Sequence, residues 1–157
     1  MKSKLPTSTV DCRLWTVDNK LILMEEEKVA VATITDEVYR TELKVRKHTV
    51  IADEPEDVGG KDVGPRPGDF YRMSLASCTA ITLRMYANRK NFDVKKIQVS
   101  VSTEEGENKT ILHTDIKISG NLDDAQHQRM LQIAKLCPVH KFLTNPIEIE
   151  TKLSTVN

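Results

Sequence analysis

The stretch SLASCTAITLRMYA, residues 74–87, carries one charged residue, Arg84, in a chain where Asp, Glu, Lys and Arg make up 29% of the total. Its small and apolar residues run nearly all the way round a helix of ~3.6 residues per turn instead of along one stripe, which predicts a helix buried on most sides with close neighbours. Pro67 suits a first-turn position, where no amide donor is needed, and Asp69 or the residues before it can cap the start. The helix is therefore expected to run from Pro67 or Asp69 to about Asn88. It is too apolar for the surface of a monomer and points to a dimer. Cys78 sits in its middle.

Around this helix the pattern is that of strands. VAVATI, residues 29–34, is rich in β-branched residues, and Tyr39, Thr41, Leu43 and Val45 alternate with Arg40, Glu42, Lys44 and Arg46, with Thr35 to Val38 as the turn of a hairpin. ADEPEDVGGKDVGPRPG, residues 52–68, holds three prolines and four glycines; a connection of this length is either mobile or functional. Downstream, Ile97, Val99 and Val101 alternate with polar residues, and Leu112 to Ile118 follows the turn-like EEGENK, predicting a second hairpin. Asn121, Asp123 and Asp124 are start signals for a helix whose apolar face, Met130, Ile133, Ala134 and Cys137, repeats at i, i+3, i+4, i+7. Pro138 can open a short helix, VHKFL, and after Pro146 a last strand is expected with Ile147, Ile149, Thr151 and Leu153 on one face. Adjacent hairpins interrupted by helices argue for an α+β fold with antiparallel sheet. Residues 1–27, which include LILM and the run Glu25 to Glu27, are set apart as an N-terminal arm, and residues 28–157 as a single domain.

At 157 residues the chain can bury ~70% of the surface its unfolded form exposes. Lys plus Arg and Asp plus Glu both number 23, so no long-range field draws the protein to nucleic acid or anionic lipid, and a small or neutral substrate is expected. No run approaches the ~18 apolar residues of a membrane helix, and the N-terminus lacks the apolar core of a signal peptide. A soluble cytoplasmic protein is expected, with no membrane or nucleic-acid partner. Three cysteines, Cys12, Cys78 and Cys137, are too few for a disulfide framework and read as thiols in a reducing compartment. Taken alone, each reads first as a small buried hydrophobe.

The contexts of two of them point further. HTVIADEPEDVGGKDVGPRPGDFYRMSLASCTAITLRMYANRK, residues 48–90, followed by ISGNLDD and IAKLCPVHKFL, resembles the superfamily of osmotically inducible protein C and the organic hydroperoxide resistance proteins (OsmC/Ohr). The match covers roughly residues 28–154, and ASCTA with CPVH makes it specific. The resemblance implies a domain-swapped homodimer with antiparallel sheets around central helices, and reactive cysteines at Cys78 and Cys137. It implies thiol-dependent reduction of organic hydroperoxides: Cys78 attacks the peroxide and becomes a sulfenic acid, and Cys137 condenses with it to a disulfide. A dithiol such as dihydrolipoamide then restores both thiols, with no further cofactor. Cys12 belongs to no motif.

A thiol of ordinary pKa, ~8.5, is mostly protonated at neutral pH, so the Cys78 anion needs a stabilising group. The start of its helix is two or more turns away, beyond the useful reach of a macrodipole. Arg72 and Arg84, six positions either side, lie ~120° round the helix from Cys78. The family resemblance implies an arginine from the N-terminal strand region, with Arg40 the first candidate and Arg46 the second; both read equally well as solvated strand charges. Where the hydroperoxide branch places an arginine-orienting glutamate, this chain has Gly68. Asp69 is the nearest acid, turned ~100° from that position, and is expected to serve the Cys78 of a second subunit if it serves the site at all. His48 and His140 are candidate substrate-binding residues at the mouth of the site, each with an alternative as a plain hydrogen-bonded histidine. Cys137-x-x-His140 with Cys78 would make three zinc ligands, but no second close-spaced pair accompanies them, and no metal is expected. A rival reading is a non-catalytic dimer that binds a small apolar or electrophilic ligand at its interface.

Overall fold

In the computed structural model, which describes residues 29–155, the chain divides into two units, Met1–Arg66 and Pro67–Asn157. The expected N-terminal arm, 1–27, and Cys12 lie outside the described residues.

The first unit is a three-stranded antiparallel meander, β1 (Val31–Ile34), β2 (Thr41–Val45) and β3 (His48–Ala52), in the order β1-β2-β3. The expected hairpin forms, with Ile34 opposite Thr41, and a two-residue turn at Arg46 and Lys47 brings Val45 opposite His48. Val31, Ile34, Val45 and Val50 all stay exposed.

The connection after β3 is ordered around a carboxylate. Asp53 is only 2% exposed and accepts hydrogen bonds from the backbone N–H groups of Glu54 (2.9 Å), Lys61 (3.1 Å) and Val63 (3.3 Å), while its own N–H donates to the Pro65 carbonyl at 3.2 Å. Burial works to raise the Asp53 pKa, but the Val63, Glu54 and Lys61 amides, helped by the Lys61 charge, outweigh it and hold the carboxyl below its usual value. Two glycines make the winding possible. A Cβ on Gly60 would stand 1.8 Å from the Glu54 carbonyl oxygen, and one on Gly64 2.3 Å from that of Ile51.

The second unit is built on α1 (Pro67–Lys90), the helix expected from the central stretch. It ends where Asn91 turns left-handed, at φ 53°, and the Phe92 N–H reaches back to the Ala87 carbonyl. The hairpin β4 (Asp93–Glu105) and β5 (Thr110–Asn121) follows, longer at both ends than its alternation predicts, with a bulge between Val94 and Lys96. Arg84 donates to the Val94 carbonyl at 2.6 Å and the Lys95 carbonyl at 3.2 Å, tying α1 to that bulge. α2 (Asp124–Ala134) opens on a capping box between Asp123 and Gln126, and α3 (Pro138–Leu143) has Pro138 in its first turn.

α1 packs on β4, α2 and α3. The core joins Leu75, Leu83, Tyr86 and Ala87 with Val94, Met130, Ile133, Ala134 and Cys137. Arg129 donates to the Tyr86 hydroxyl at 3.1 Å, and Phe92 meets the Tyr86 ring edge-on, with centroids 5.9 Å apart. Burying a side chain such as Leu83 contributes about 2 kcal/mol.

Three expectations are corrected here. α1 is not covered on most sides among the described residues: Met73, Ile81 and Met85, spaced for one ridge, remain 50%, 59% and 39% exposed. Cys137 does not close the face of α2, which stops at Ala134; it is the N-cap of α3, because Pro138 cannot continue the preceding helix. The strand expected after Pro146 is absent among the described residues, and Ile147, Ile149 and Leu153 are exposed. Alternation supplies an apolar face, whereas a strand also needs a hydrogen-bonding neighbour, and among the described residues none pairs with this segment.

Candidate functional site

α1 and α3 bring the two expected cysteines together. Cys78 lies mid-helix, half-buried; Cys137, between α2 and α3, is fully buried, and both are free thiols. The Cys78 and Cys137 thiols are neighbours within hydrogen-bonding reach, and either can donate. Two successive amides of the first turn of α3 face the pair. The Val139 N–H donates to the Cys78 sulfur, and the His140 N–H to the Cys137 sulfur at 3.4 Å. The Thr82 hydroxyl, one turn along α1, completes the surroundings of Cys78.

Burial pushes the Cys78 thiol above its ordinary pKa, and the hydrogen bond to Cys137 and the proximity of that second thiol act in the same direction. The Val139 amide and Thr82 hydroxyl pull the other way, because both donate to the anion. In this chain the balance favours the protonated thiol. Cys78 is partly open to solvent, whereas Cys137 is closed off from it.

The remaining expected residues divide between the two units. Asp69, in the first turn of α1, accepts a hydrogen bond from Arg72, and the two form an ion pair that raises the Arg72 pKa. Arg72 is thus occupied by Asp69, and Arg84 by the β4 carbonyls, consistent with both arginines facing away from Cys78. Arg40 precedes β2 in the first unit and pairs with Glu37 at 3.8 Å; Arg46 lies in the β2–β3 turn, and His48 opens β3, exposed. His140 meets the pair through its backbone. Among the described residues, no group of three or more His, Cys, Asp and Glu side chains is arranged to hold a metal ion. The sequence reading missed Thr82 and Val139. Thr82 was legible in principle, four residues from Cys78 and on the same helix face; Val139 depends on how α3 docks, which no local pattern reports.

Comparison with known proteins bears on the family and the fold. A family model described as OsmC-like protein matches residues 59–152, well over half of the chain, and the chain belongs to that family. The resemblance drawn from the two cysteine contexts therefore holds. No curated protein matches by sequence. Similar solved structures include a protein from Psychrobacter arcticus described as an osmotic stress induced and detoxification response protein, with 24% identity, TM-score 0.61, and 72% of this chain and 85% of that chain covered. The organic hydroperoxide resistance protein OsmC of Legionella pneumophila is similar at 16% identity, TM-score 0.56, with 78% and 91% covered. A Vibrio cholerae protein described as an organic hydroperoxide resistance protein, with captopril bound in one of its active sites, is similar at 16% identity, TM-score 0.55, with 80% and 90% covered. At these identities the structures establish the fold, α+β with antiparallel sheets and helices. No helix among the described residues is long and apolar enough to cross a membrane.

Proposed function

We propose that the protein is a cytoplasmic thiol peroxidase acting on organic hydroperoxides. The observation that carries the reading is the Cys78–Cys137 pair, with Cys78 partly exposed and Cys137 fully buried beside it. The Cys78 thiolate attacks the distal peroxide oxygen; the S–O bond forms, the O–O bond breaks, and the alkoxide leaves as alcohol after taking a proton. The Cys137 thiol then attacks the sulfenic acid, giving a disulfide and water. A dithiol such as dihydrolipoamide reduces the disulfide by exchange and becomes a disulfide itself.

A raised thiol pKa calls for a cation, and in this reading it is Arg40, supplied in a domain-swapped homodimer with a site shared between subunits. Asp69 orients it where the family glutamate position holds Gly68, and His48 and His140 line the mouth. The exposed valines and isoleucine of the β1–β3 sheet and the uncovered ridge of α1 support such an assembly.

Prereduced protein given cumene hydroperoxide is expected to lose two free thiols and to turn over with dihydrolipoamide, while Cys78→Ser falls to background. Wild-type consumption no faster than that of Cys78→Ser would end the proposal. A second reading, a dimer that binds a small apolar or electrophilic ligand without turnover, is favoured by the burial that pushes the Cys78 thiol up and by Gly68. It requires Cys78 to stay unreactive toward iodoacetamide below pH 8.

A further inference from the structure

Thr82 stands four residues beyond Cys78 on α1, where helix geometry stacks the two side chains one above the other, and it is only 9% exposed. In a buried helix a threonine hydroxyl ordinarily bonds the carbonyl one turn back. Here the same one-turn spacing sets the Thr82 hydroxyl beside the Cys78 side chain, where it is among the groups that favour the Cys78 anion. A hydroxyl carries one rotatable donor proton, so it can turn to whichever acceptor is stronger at the moment, and an ionised sulfur is a stronger acceptor than a thiol.

We propose that the Thr82 hydroxyl is a built-in donor to the reacting sulfur of Cys78 and sets how readily that sulfur attacks. The inference rests on Cys78 being the attacking thiol, and not on which electrophile it meets. Several charged groups on the packed elements are held by other partners. On α1, Arg72 is held by Asp69 and Arg84 by the Val94 and Lys95 carbonyls; on β4, Lys95 pairs with Asp93; on α2, Arg129 bonds Tyr86 and Gln132. At α3, Cys137 acts directly on Cys78 and disfavours its anion, with the His140 amide donating to Cys137. Among the described residues, the Val139 amide and Thr82 are donors that work against burial at Cys78. Of these two, only Thr82 can be removed by changing a side chain.

The size of the effect follows from two opposing consequences. A hydrogen bond to a charged group is worth on the order of a tenfold change in the thiolate fraction. A thiolate that loses its donor becomes more nucleophilic, which recovers about half of that on a logarithmic scale, leaving a rate about threefold lower below the thiol's titration range.

The test is alkylation of the reduced full-length protein with iodoacetamide, followed at the Cys78 peptide by mass spectrometry across pH 6–10. In this probe reaction the sulfur–carbon bond forms as iodide leaves. Thr82→Val and Thr82→Ala are expected to alkylate Cys78 about threefold more slowly at pH 7, with the profile displaced to higher pH, while Thr82→Ser stays close to wild type. Two replacements of different volume guard against one failing to fold, and the serine variant separates the hydroxyl from the packing. Valine and alanine variants that follow the wild-type profile overturn the inference, as does a serine variant that falls as far as valine. A displaced profile in a protein that consumes no peroxide would leave the role of Thr82 standing while removing the peroxidase reading.

Discussion

In the unit that begins at Pro67, Leu83, Met130 and Cys137 are withdrawn from solvent by the packing of α1 on its neighbours, whereas in the β1–β3 sheet Val31, Ile34, Val45 and Val50 all remain exposed. The most buried group of the first unit's loop is a charged one, Asp53, held by backbone amides. One unit is organised by apolar side chains and the other by a sheet ladder and a wrapped carboxylate. A sheet with apolar side chains facing water has not completed its burial, and the same holds for the outer ridge of α1. The contrast says where further surface has to come from, and three substitutions probe it.

The largest expected effect is in the packed core. Leu83→Ala deletes a fully buried side chain whose neighbours can close only partly over the gap, and should cost about 3 kcal/mol in urea-induced unfolding. A loss under about 1 kcal/mol would mean that α1 is not the centre of this unit.

Next comes the outer ridge. In an isolated chain, Ile81→Arg replaces a 59%-exposed residue and should change stability by no more than about 0.5 kcal/mol. If the ridge of α1 is buried in a homodimer, the same charge sits unpaired in an apolar contact, and sedimentation should show monomers where the wild type shows dimers. A mutant with wild-type mass and stability would make the ridge a solvent surface and remove the assembly from the proposed site.

How much of this was legible in the sequence varies with the kind of interaction. α1 and both hairpins were readable because periodicity, Pro67 and the acidic start of α2 are local signals. The cysteine pair was readable only through the family resemblance, since Cys78 and Cys137 are brought together by the docking of α3 on α1, a long-range event. Cys137 was assigned to α2 because its spacing fits an apolar face; Pro138 outweighed the spacing. The tail differs for another reason, as Ile147, Ile149 and Leu153 alternate correctly but no strand among the described residues pairs with them. Asp53 left no signal among the other acids of residues 52–68, because three amides up to ten residues away define its role.

The smallest effect belongs to that carboxylate, and it is one of pH. The Asp53 pKa is held below its ordinary value in the folded chain, so its contribution to stability is present above the unfolded-state value of ~3.9 and is lost as pH falls through the lower folded value. Wild-type melting temperature should therefore fall on acidification below about pH 4. In Asp53→Asn the side chain keeps one acceptor oxygen for the Glu54, Lys61 and Val63 amides but cannot titrate. Its melting temperature should start slightly lower at pH 7 and decline less steeply in acid. Because Asp53 belongs to the first unit, Cys78 alkylation should be unchanged in this variant if each unit holds its own geometry. Parallel acid profiles for wild type and mutant would show that the amides around residue 53 are held by the loop's glycines and prolines instead of by the charge they surround.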